Sequence, residues 1–210
     1  MASKTNTQRI ALISGLFLLV MAILIPESVS ASPLRDVSSL PDLDNFIQSV
    51  KDGDTGALRG VYSDGLFAFP IVQQPDNRSS YVSTQPNTIT EFGPASAYGN
   101  IGLLAHDFLA GQYFFQLFIG QNIQLIYGNG QIENFVITQI YHYQATDPYS
   151  LYSQFIDLHS QENLSATQLF KKVYMGPMHV TFQTCIESNG NSSWGRLFVI
   201  AEPKAATQIK

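Results

Sequence analysis

The sequence is poor in cysteine and in charge. Cys185 is the only cysteine among 210 residues, which excludes an internal disulfide and a Cys-rich metal site. Charged residues make up 13% of the chain, with 11 Lys and Arg against 16 Asp and Glu, a net charge of −5. This balance argues against a nucleic-acid-binding protein, which normally carries a basic face. Hydrophobic residues reach 45%, enough to build a core, and this excludes a wholly disordered chain.

An uncharged apolar run near the start of the chain indicates a targeting segment. Lys4 and Arg9 precede the run, which covers residues 10–25, and a small-residue site ending at Ala31 follows it. This layout is typical of a secretory signal peptide. The run is just shorter than the roughly 17 apolar residues that a membrane helix needs, so cleavage near Ala31 is favoured. We expect residues 1–31 to be a signal peptide or, alternatively, an N-terminal membrane anchor that tethers the protein through residues 10–25. Either way the protein is expected to be extracytoplasmic, secreted or held at the outer face of the cytoplasmic membrane.

The residues after this segment divide into a linker with a short helix and a β-rich domain. Ser and Pro are frequent up to Asp42, as in linkers. Apolar residues then recur at positions i, i+3, i+4 and i+7 over 43–50, which predicts a helix that Asp42 or Asp44 can cap. We assign residues 32–59 to the linker and short N-terminal helix, and residues 60–204 to the domain.

The domain reads mostly as short strands. The segment 128–130, Gly-Asn-Gly, lies between two alternating apolar runs and predicts a β-hairpin. Further strands are predicted at 179–185 and 196–201. A polar connection over 145–170 leads into a short helix near 167–172. Seven or eight short strands with few helices indicate a closed β-barrel or a β-sandwich.

Cys185 is the residue with the clearest chemical potential. An unpaired cysteine in a secreted chain suggests pairing between molecules or a reactive thiol, and this one ends a predicted strand. A thiol nucleophile needs an imidazole or a cation beside it. His106 follows another apolar strand. Arg196 begins the strand after the loop that follows Cys185, so a hairpin would place it opposite the thiol.

A structural interpretation of these residues stays open. A lone cysteine on a strand is often a small buried apolar residue, and an arginine at a strand start is often solvated. Among the other histidines, His142 and His159 fit structural or surface roles. His179 lies on the strand of the thiol but six residues before it, about 20 Å away along an extended strand. Spacing alone does not show that the thiol, an imidazole and a guanidinium meet.

Several segments of the sequence resemble the sortase family. The segment 181–185, Thr-Phe-Gln-Thr-Cys, is similar to the Thr-Leu-x-Thr-Cys signature of sortases, with Phe182 in the Leu position. His, Cys and Arg also occur in the order found in that family, and the resemblance covers about residues 60–202. The other segments that carry it are 104–106 (Leu-Ala-His), 114–117, 120–123 and 195–201 (Gly-Arg-Leu-Phe-Val-Ile-Ala).

The resemblance implies a mainly β fold, a closed eight-stranded sortase-type β-barrel with a few short helices, and a cysteine transpeptidase of the peptidase class. Cys185 would attack the carbonyl of a peptide sorting signal and form a thioester. His106 would protonate the leaving amine and later deprotonate the incoming one. Arg196 would hold the substrate backbone and steady the oxyanion, and Thr184 beside the cysteine would add a hydrogen bond or a backbone donor.

The resemblance also implies partners. The donor would be a surface-protein or pilin peptide with a sorting signal, and the acceptor an amine nucleophile of the cell envelope, with no nucleic acid and no cofactor. The connection 145–170 corresponds to the substrate-shaping loop of the family, so the recognised peptide stays open. Its acidic residues are spread out, and no metal site is expected.

Two other functions fit the same sequence. One is a catalytically weak secreted sortase-like module with a binding or structural role, since the chain has 10 Tyr and 14 Phe for a partner surface. The other is a peptide hydrolase with the same thiol mechanism, which passes the acyl group to water. An added amine nucleophile distinguishes transfer from hydrolysis.

Overall fold

The structure is a computed structural model that describes residues 40–150 and 152–205. The expected signal peptide or anchor over 1–31, and the linker up to residue 39, lie outside these residues. Within the two described ranges, no helix is long and apolar enough to cross a bilayer.

Helix α1 covers Leu43–Val50, as the apolar spacing predicted. The Asp42 carboxylate caps it by accepting a hydrogen bond of 2.8 Å from the backbone N–H of Asn45. Phe46 and Ile47 are buried, and they form a small apolar cluster with Tyr62 and Ile126 of the sheet. The helix is therefore held on the outside of the sheet by its apolar face.

Ten strands follow α1, with two further short helices and one 3₁₀ helix. The strands are β1 Leu58–Ser63, β2 Phe67–Gln73, β3 Ile89–Glu91, β4 Ile101–Leu104, β5 Asn122–Tyr127, β6 Ile132–Ala145, β7 Gln154–Asp157, β8 Asn163–Ser165, β9 Val180–Ser188 and β10 Asn191–Pro203. The helices are α2 Gly93–Ser96, the 3₁₀ helix Ala110–Gln116 and α3 Ala166–Tyr174.

Eight of these strands close into a barrel, which confirms the expected fold class. They are hydrogen-bonded in the order β10-β9-β4-β3-β2-β1-β5-β6, and β6 pairs again with β10. The β2–β3 and β4–β9 pairs are parallel, and the other pairs in the barrel are antiparallel. Strands β7 and β8 extend the sheet from the end of β6.

The barrel interior is filled by alternate side chains of its strands, as a half-buried strand requires. Phe182 and Leu197 point inward from β9 and β10, and Phe114 of the 3₁₀ helix closes one end against Phe182 at 5.2 Å between ring centroids. A second apolar cluster lies outside the barrel, where α3 packs on Phe198 and Tyr143. The outward-facing side chains of β9 and β10 can therefore be identified from the register.

The predicted hairpin and the predicted second helix are both present. Gly130 adopts φ +87°, a conformation open to glycine, and its N–H donates to the Tyr127 carbonyl at 2.8 Å, so the turn joins β5 to β6. Helix α3 begins at a capping box formed by Ser165 and Gln168. The β7–β8 hairpin inside the connection 145–170 was not predicted, because its strands are only four and three residues long.

Candidate active site

Strands β4 and β9 bring His106 beside Cys185. The parallel register pairs Leu104 with Gln183, and the Ala105 N–H donates to the Gln183 carbonyl at 3.2 Å. Extended by two residues beyond its last pair, this register places His106, just past the end of β4, beside Cys185 of β9. Ala105 and Thr184 face the barrel interior, so alternation along β9 directs Cys185 outward.

Arg196 reaches the same place from the other side of Cys185. It is the antiparallel partner of Cys185 in the β9–β10 ladder, and residues directly opposite in such a ladder project from the same face. Cys185 and Arg196 therefore lie side by side on β9 and β10, and the predicted His106 follows the end of the neighbouring strand β4 at the same end of the barrel. This juxtaposition joins a thiol, an imidazole and a guanidinium.

The Cys185 thiol is free and partly buried. Burial raises the pKa of the thiol, the Arg196 guanidinium opposes this, and the Asp107 carboxylate adds to the increase. The net effect is a raised pKa, so the thiol is almost wholly protonated at neutral pH. Asp107 was not among the predicted site residues, although it directly follows His106 in the sequence.

Arg196 is positioned by its own strand. Its Nη1 donates to the carbonyl of Ser193 at 3.0 Å and to the carbonyl of Gly195 at 2.7 Å. These two bonds hold the guanidinium against the β9–β10 ladder, partly buried. Gly195 allows this close packing, because a Cβ there would collide with the carbonyl oxygen of Tyr143 on β6.

Thr184, the predicted substrate-binding residue, faces the interior of the barrel. It is 2% exposed, and its hydroxyl donates to the Ala105 carbonyl at 2.8 Å. The hydroxyl therefore ties β9 to the residue that precedes His106. A hydrogen bond from Thr184 to a substrate would have to come from its backbone.

The turn that carries His106 is tightly packed. The His106 carbonyl accepts hydrogen bonds from the N–H groups of Leu109 at 3.0 Å and Gly111 at 2.9 Å. Phe108 folds back so that its ring stacks on the imidazole, with 5.2 Å between centroids. The imidazole ring is therefore oriented by its own turn as well as by the β4–β9 register.

The other three histidines lie away from the thiol. His179 is buried, and its two ring nitrogens lie 2.7 Å from the Pro177 carbonyl and 2.9 Å from the Val173 carbonyl. His142 and His159 are exposed and line a cavity of about 550 Å³ beside β6. A second cavity, of about 570 Å³, lies between α3 and the end of β10. Cys185 lines neither of these two cavities.

A cluster around Lys172 holds the β7–β8 hairpin and α3 against the barrel. The Lys172 ammonium lies 3.1 Å from Glu162 and 5.0 Å from the ring centroid of Tyr141. Burial raises the pKa of Asp157, but backbone N–H groups, the Tyr143 hydroxyl and Lys172 outweigh it and hold that pKa below its usual value. Tyr143 is the β6 partner of Arg196, so this cluster borders the candidate site.

We expect Lys172→Ala to lower the free energy of unfolding by about 1 kcal/mol, because an ion pair and a cation–π contact are lost. Urea unfolding at pH 7 measures the effect, and Lys171→Ala, on the exposed neighbour in α3, is the matched control. Equal stability of the two variants at pH 7 would contradict the role of Lys172.

The lowered pKa of Asp157 stabilises the fold at neutral pH, and this contribution is lost as the pH falls below the usual Asp range.

The thiol environment predicts a specific pH dependence of labelling. Iodoacetamide should label Cys185 at a rate that is still rising at about pH 9, because only the thiolate reacts. At pH 8, Asp107→Asn should label faster and Arg196→Gln more slowly than the native protein, since the two charges have opposite effects on the pKa. Asp76→Asn, in a distant turn, serves as control. Identical rates in all four proteins would contradict this electrostatic arrangement.

Among residues 40–150 and 152–205, no group of three or more His, Cys, Asp and Glu side chains is placed to hold a metal ion.

Comparison with known proteins finds sortases among the solved structures. Sortase C-1 from Actinomyces oris matches with 15% identity and a TM-score of 0.48, over 80% of this chain and 84% of that one. Sortase C1 from Streptococcus suis matches with 12% identity and a TM-score of 0.48, over 79% of each chain. Sortase A from Corynebacterium diphtheriae matches with 12% identity and a TM-score of 0.48, over 75% of this chain and 65% of that one.

The solved structures to which this chain is similar are thus sortases, the family that its sequence motifs resemble. At these identities and TM-scores the similarity carries no information about activity or substrate. No family model matches the sequence, and no relative is found among curated proteins.

Proposed function

We propose that this protein is a sortase-like cysteine transpeptidase, which cleaves a peptide sorting signal and transfers it to an amine. The observation that supports this most is the pairing of Cys185 with Arg196 across β9 and β10, with His106 directly after the end of β4, the parallel neighbour of β9. These are the three groups that thiol acyl transfer requires: a nucleophile, a proton carrier and a cation for the developing oxyanion.

In the first half-reaction the Cys185 thiolate attacks the carbonyl carbon of the scissile peptide bond. The bond from carbon to sulfur forms and the carbonyl oxygen takes up negative charge, which the Arg196 guanidinium stabilises. The carbon–nitrogen bond then breaks, and protonated His106 gives its proton to the leaving amine. The products of this step are a thioester on Cys185, a free amine and a neutral imidazole.

In the second half-reaction an acceptor amine attacks the thioester. Neutral His106 removes a proton from the attacking nitrogen, the carbon–sulfur bond breaks, and Cys185 leaves as a thiolate. The protonated imidazole and the thiolate are then ready for another cycle. The Thr184 hydroxyl is engaged with the Ala105 carbonyl. Any donor beside Thr184 that joins Arg196 in binding the oxyanion is therefore a backbone N–H group.

The charge state of the thiol limits the rate of this reaction. Because burial and Asp107 raise the pKa of Cys185, only a small fraction of molecules carries the thiolate at pH 7. We therefore expect slow turnover in the free protein. A bound substrate would increase the fraction of thiolate if its backbone dipoles stabilised the negative charge on sulfur, or if it drew the Arg196 guanidinium toward the sulfur.

The expected substrates and location follow the sortase resemblance and are part of the proposal. The donor is a surface-protein or pilin peptide with a sorting signal, and the acceptor is an amine of the cell envelope. The protein acts outside the cytoplasmic membrane, after export directed by residues 1–31 or tethered through residues 10–25. Residues 32–59 link that segment to the catalytic domain over 60–204.

A catalytically weak binding module is the second candidate function. The raised pKa of Cys185 favours it, as does the use of Arg196 Nη1 for carbonyls of its own strand. A hydrolase with the same mechanism differs only in the acceptor, since water then attacks the thioester.

A peptide library with hydroxylamine as acceptor tests the proposal. Hydroxylamine is small and strongly nucleophilic, so it opens a thioester without needing an acceptor subsite. The full chain is incubated with randomised peptides at pH 7 to 9, with or without hydroxylamine or triglycine, and the products are identified by mass spectrometry. Peptide hydroxamates and triglycine adducts would support a transpeptidase, and cleavage to free acids alone a hydrolase. Unchanged peptides with no adduct on Cys185 would support the binding module.

A further inference from the structure

The connection between β4 and β5, residues 106–121, exposes several large apolar side chains. We call this connection the barrel cap, because it crosses the end of the barrel at which the candidate site lies. Its exposed apolar side chains, with their exposed fractions, are Phe108 (70%), Phe115 (46%), Phe118 (61%) and Ile119 (65%). Four such side chains within twelve residues make an apolar surface beside His106.

The exposed side chains are not needed to close the barrel. Ala110, Phe114 and Leu117 of the barrel cap are buried in the main core, where Phe114 packs on Phe67 and Phe182. The cap is thus anchored by one set of apolar residues and presents another set outward. Phe108 of the outer set stacks on the His106 imidazole, whereas Phe115, Phe118 and Ile119 stay exposed and indicate contact with something outside the described residues.

The described chain begins at the same end of the barrel. Lys51, after the last residue of α1, is followed by Asp52 and Gly53, whose N–H groups bond to the Gly128 carbonyl at 3.0 and 2.7 Å. Gly128 lies in the β5–β6 turn, at the end of the barrel opposite the cap. Because α1 packs lengthwise on β1 through Phe46, its first residue is directed toward the cap end.

The sequence before α1 contains an apolar run within reach of this end. Residues 10–25 are uncharged and apolar, and residues 26–41 separate them from the helix cap Asp42. Sixteen residues can span at most about 55 Å. In a full chain that keeps residues 10–25 as its anchor, the length of the linker therefore allows the bilayer to reach the barrel cap.

We propose that the barrel cap docks on the surface of a lipid bilayer, with Phe115, Phe118 and Ile119 inserted at the boundary between headgroups and acyl chains. Aromatic and aliphatic side chains are favoured at this depth. The chain has no Lys or Arg between Ser79 and Phe170, so apolar insertion rather than attraction to anionic lipids drives the contact. The docked protein holds His106 and Cys185 close to the membrane surface.

Depth-dependent fluorescence quenching tests this proposal without any need for catalysis. The full chain, with Trp194→Phe to remove its only tryptophan, carries Phe118→Trp as reporter and is reconstituted in phosphatidylcholine vesicles with brominated acyl chains. We expect strong loss of emission. Tyr98→Trp is the matched control: Tyr98 is 48% exposed and precedes β4 at the opposite end of the barrel, and the emission of a reporter there should be unchanged.

A second reporter separates insertion from mere proximity to the vesicle. The emission of a Phe115→Trp reporter should be quenched. Adding Phe118→Ser and Ile119→Ser should weaken binding of the barrel cap to the bilayer about tenfold or more, and this should remove the quenching. Cys185→Ala should leave all signals unchanged, so loss of the proposed chemistry and loss of docking are distinguishable. Equal quenching of the Phe118→Trp and Tyr98→Trp proteins, no quenching of either, or quenching only with anionic lipid would overturn the proposal.

Discussion

Cys185→Ala is expected to abolish formation of peptide hydroxamates and of any covalent peptide adduct. Alanine has no nucleophile, and the chain contains no second thiol that could replace it. The side chain is small and only partly buried, so alanine leaves little empty space in its place and the variant should fold like the native protein. Hydroxamate formation by mass spectrometry, with the melting temperature as a check on folding, measures the result.

The same assay should rank the two neighbours of the thiol. His106→Ala should lower kcat about 10²- to 10⁴-fold, because proton transfer to and from the amines is lost. Arg196→Ala should lower it about 10²- to 10³-fold, because the oxyanion loses its cation. His159→Ala and Arg78→Ala change exposed residues elsewhere and should retain full activity. Persistent transfer in Cys185→Ala, or unaltered rates in both neighbours, would show that this surface is not catalytic.

Gly111→Ala is expected to have the largest effect on stability among single substitutions near the site. A Cβ at this position would collide with the Thr184 hydroxyl and would lie 2.6 Å from the His106 carbonyl and 2.9 Å from the Ala105 carbonyl. These neighbours are backbone atoms or a buried hydroxyl, which cannot move aside without breaking the bond from Thr184 to Ala105. We expect the free energy of unfolding to fall by about 2–3 kcal/mol.

Gly56→Ala is the matched control for this change. A Cβ at Gly56 would meet only the Asp54 carboxylate, at an ordinary contact distance of 3.7 Å. That substitution should be neutral or slightly stabilising, because it restricts the unfolded chain without strain in the folded one. Urea unfolding compares the two. A Gly111→Ala protein as stable as Gly56→Ala, with unchanged thiol labelling, would show that the His106 turn adapts easily.

Local patterns in the sequence predicted individual elements well. The apolar spacing over 43–50 corresponds to α1, and Gly-Asn-Gly at 128–130 forms the β5–β6 turn. Both are local: a helix face and a tight turn depend on residues a few positions apart. The short strands β7 and β8 escaped prediction because four and three residues are too few to show an alternating apolar pattern.

The candidate site shows the same division. His106, Cys185 and Arg196 were chosen because each was predicted at a strand end and because their order resembles that of sortases. The strand ends were wrong for two of them, since β9 continues past Cys185 to Ser188 and β10 begins before Arg196, at Asn191. Asp107 and Lys172 were not chosen. Asp107 raises the pKa of the Cys185 thiol, and Lys172 holds the β7–β8 hairpin and α3 beside the candidate site. Their neighbours are remote in sequence, so no spacing rule could assign them these positions. The role of Thr184 also depended on the fold, because only its burial shows that its hydroxyl faces inward.

The sequence by itself determined that the protein has one free thiol, few charges, a short-stranded β domain and an apolar N-terminal run. These properties follow from composition and from the local spacing of apolar residues, so they do not depend on contacts between residues far apart in the sequence. Only the tertiary structure decided that β4 pairs in parallel with β9 and that the barrel cap and the start of α1 share one end. The Ala105–Thr184 hydrogen bond joins residues 79 positions apart. Such pairings are selected by the packing of the whole core, so neither the convergence of the site nor its apolar surroundings could be known before the barrel was closed.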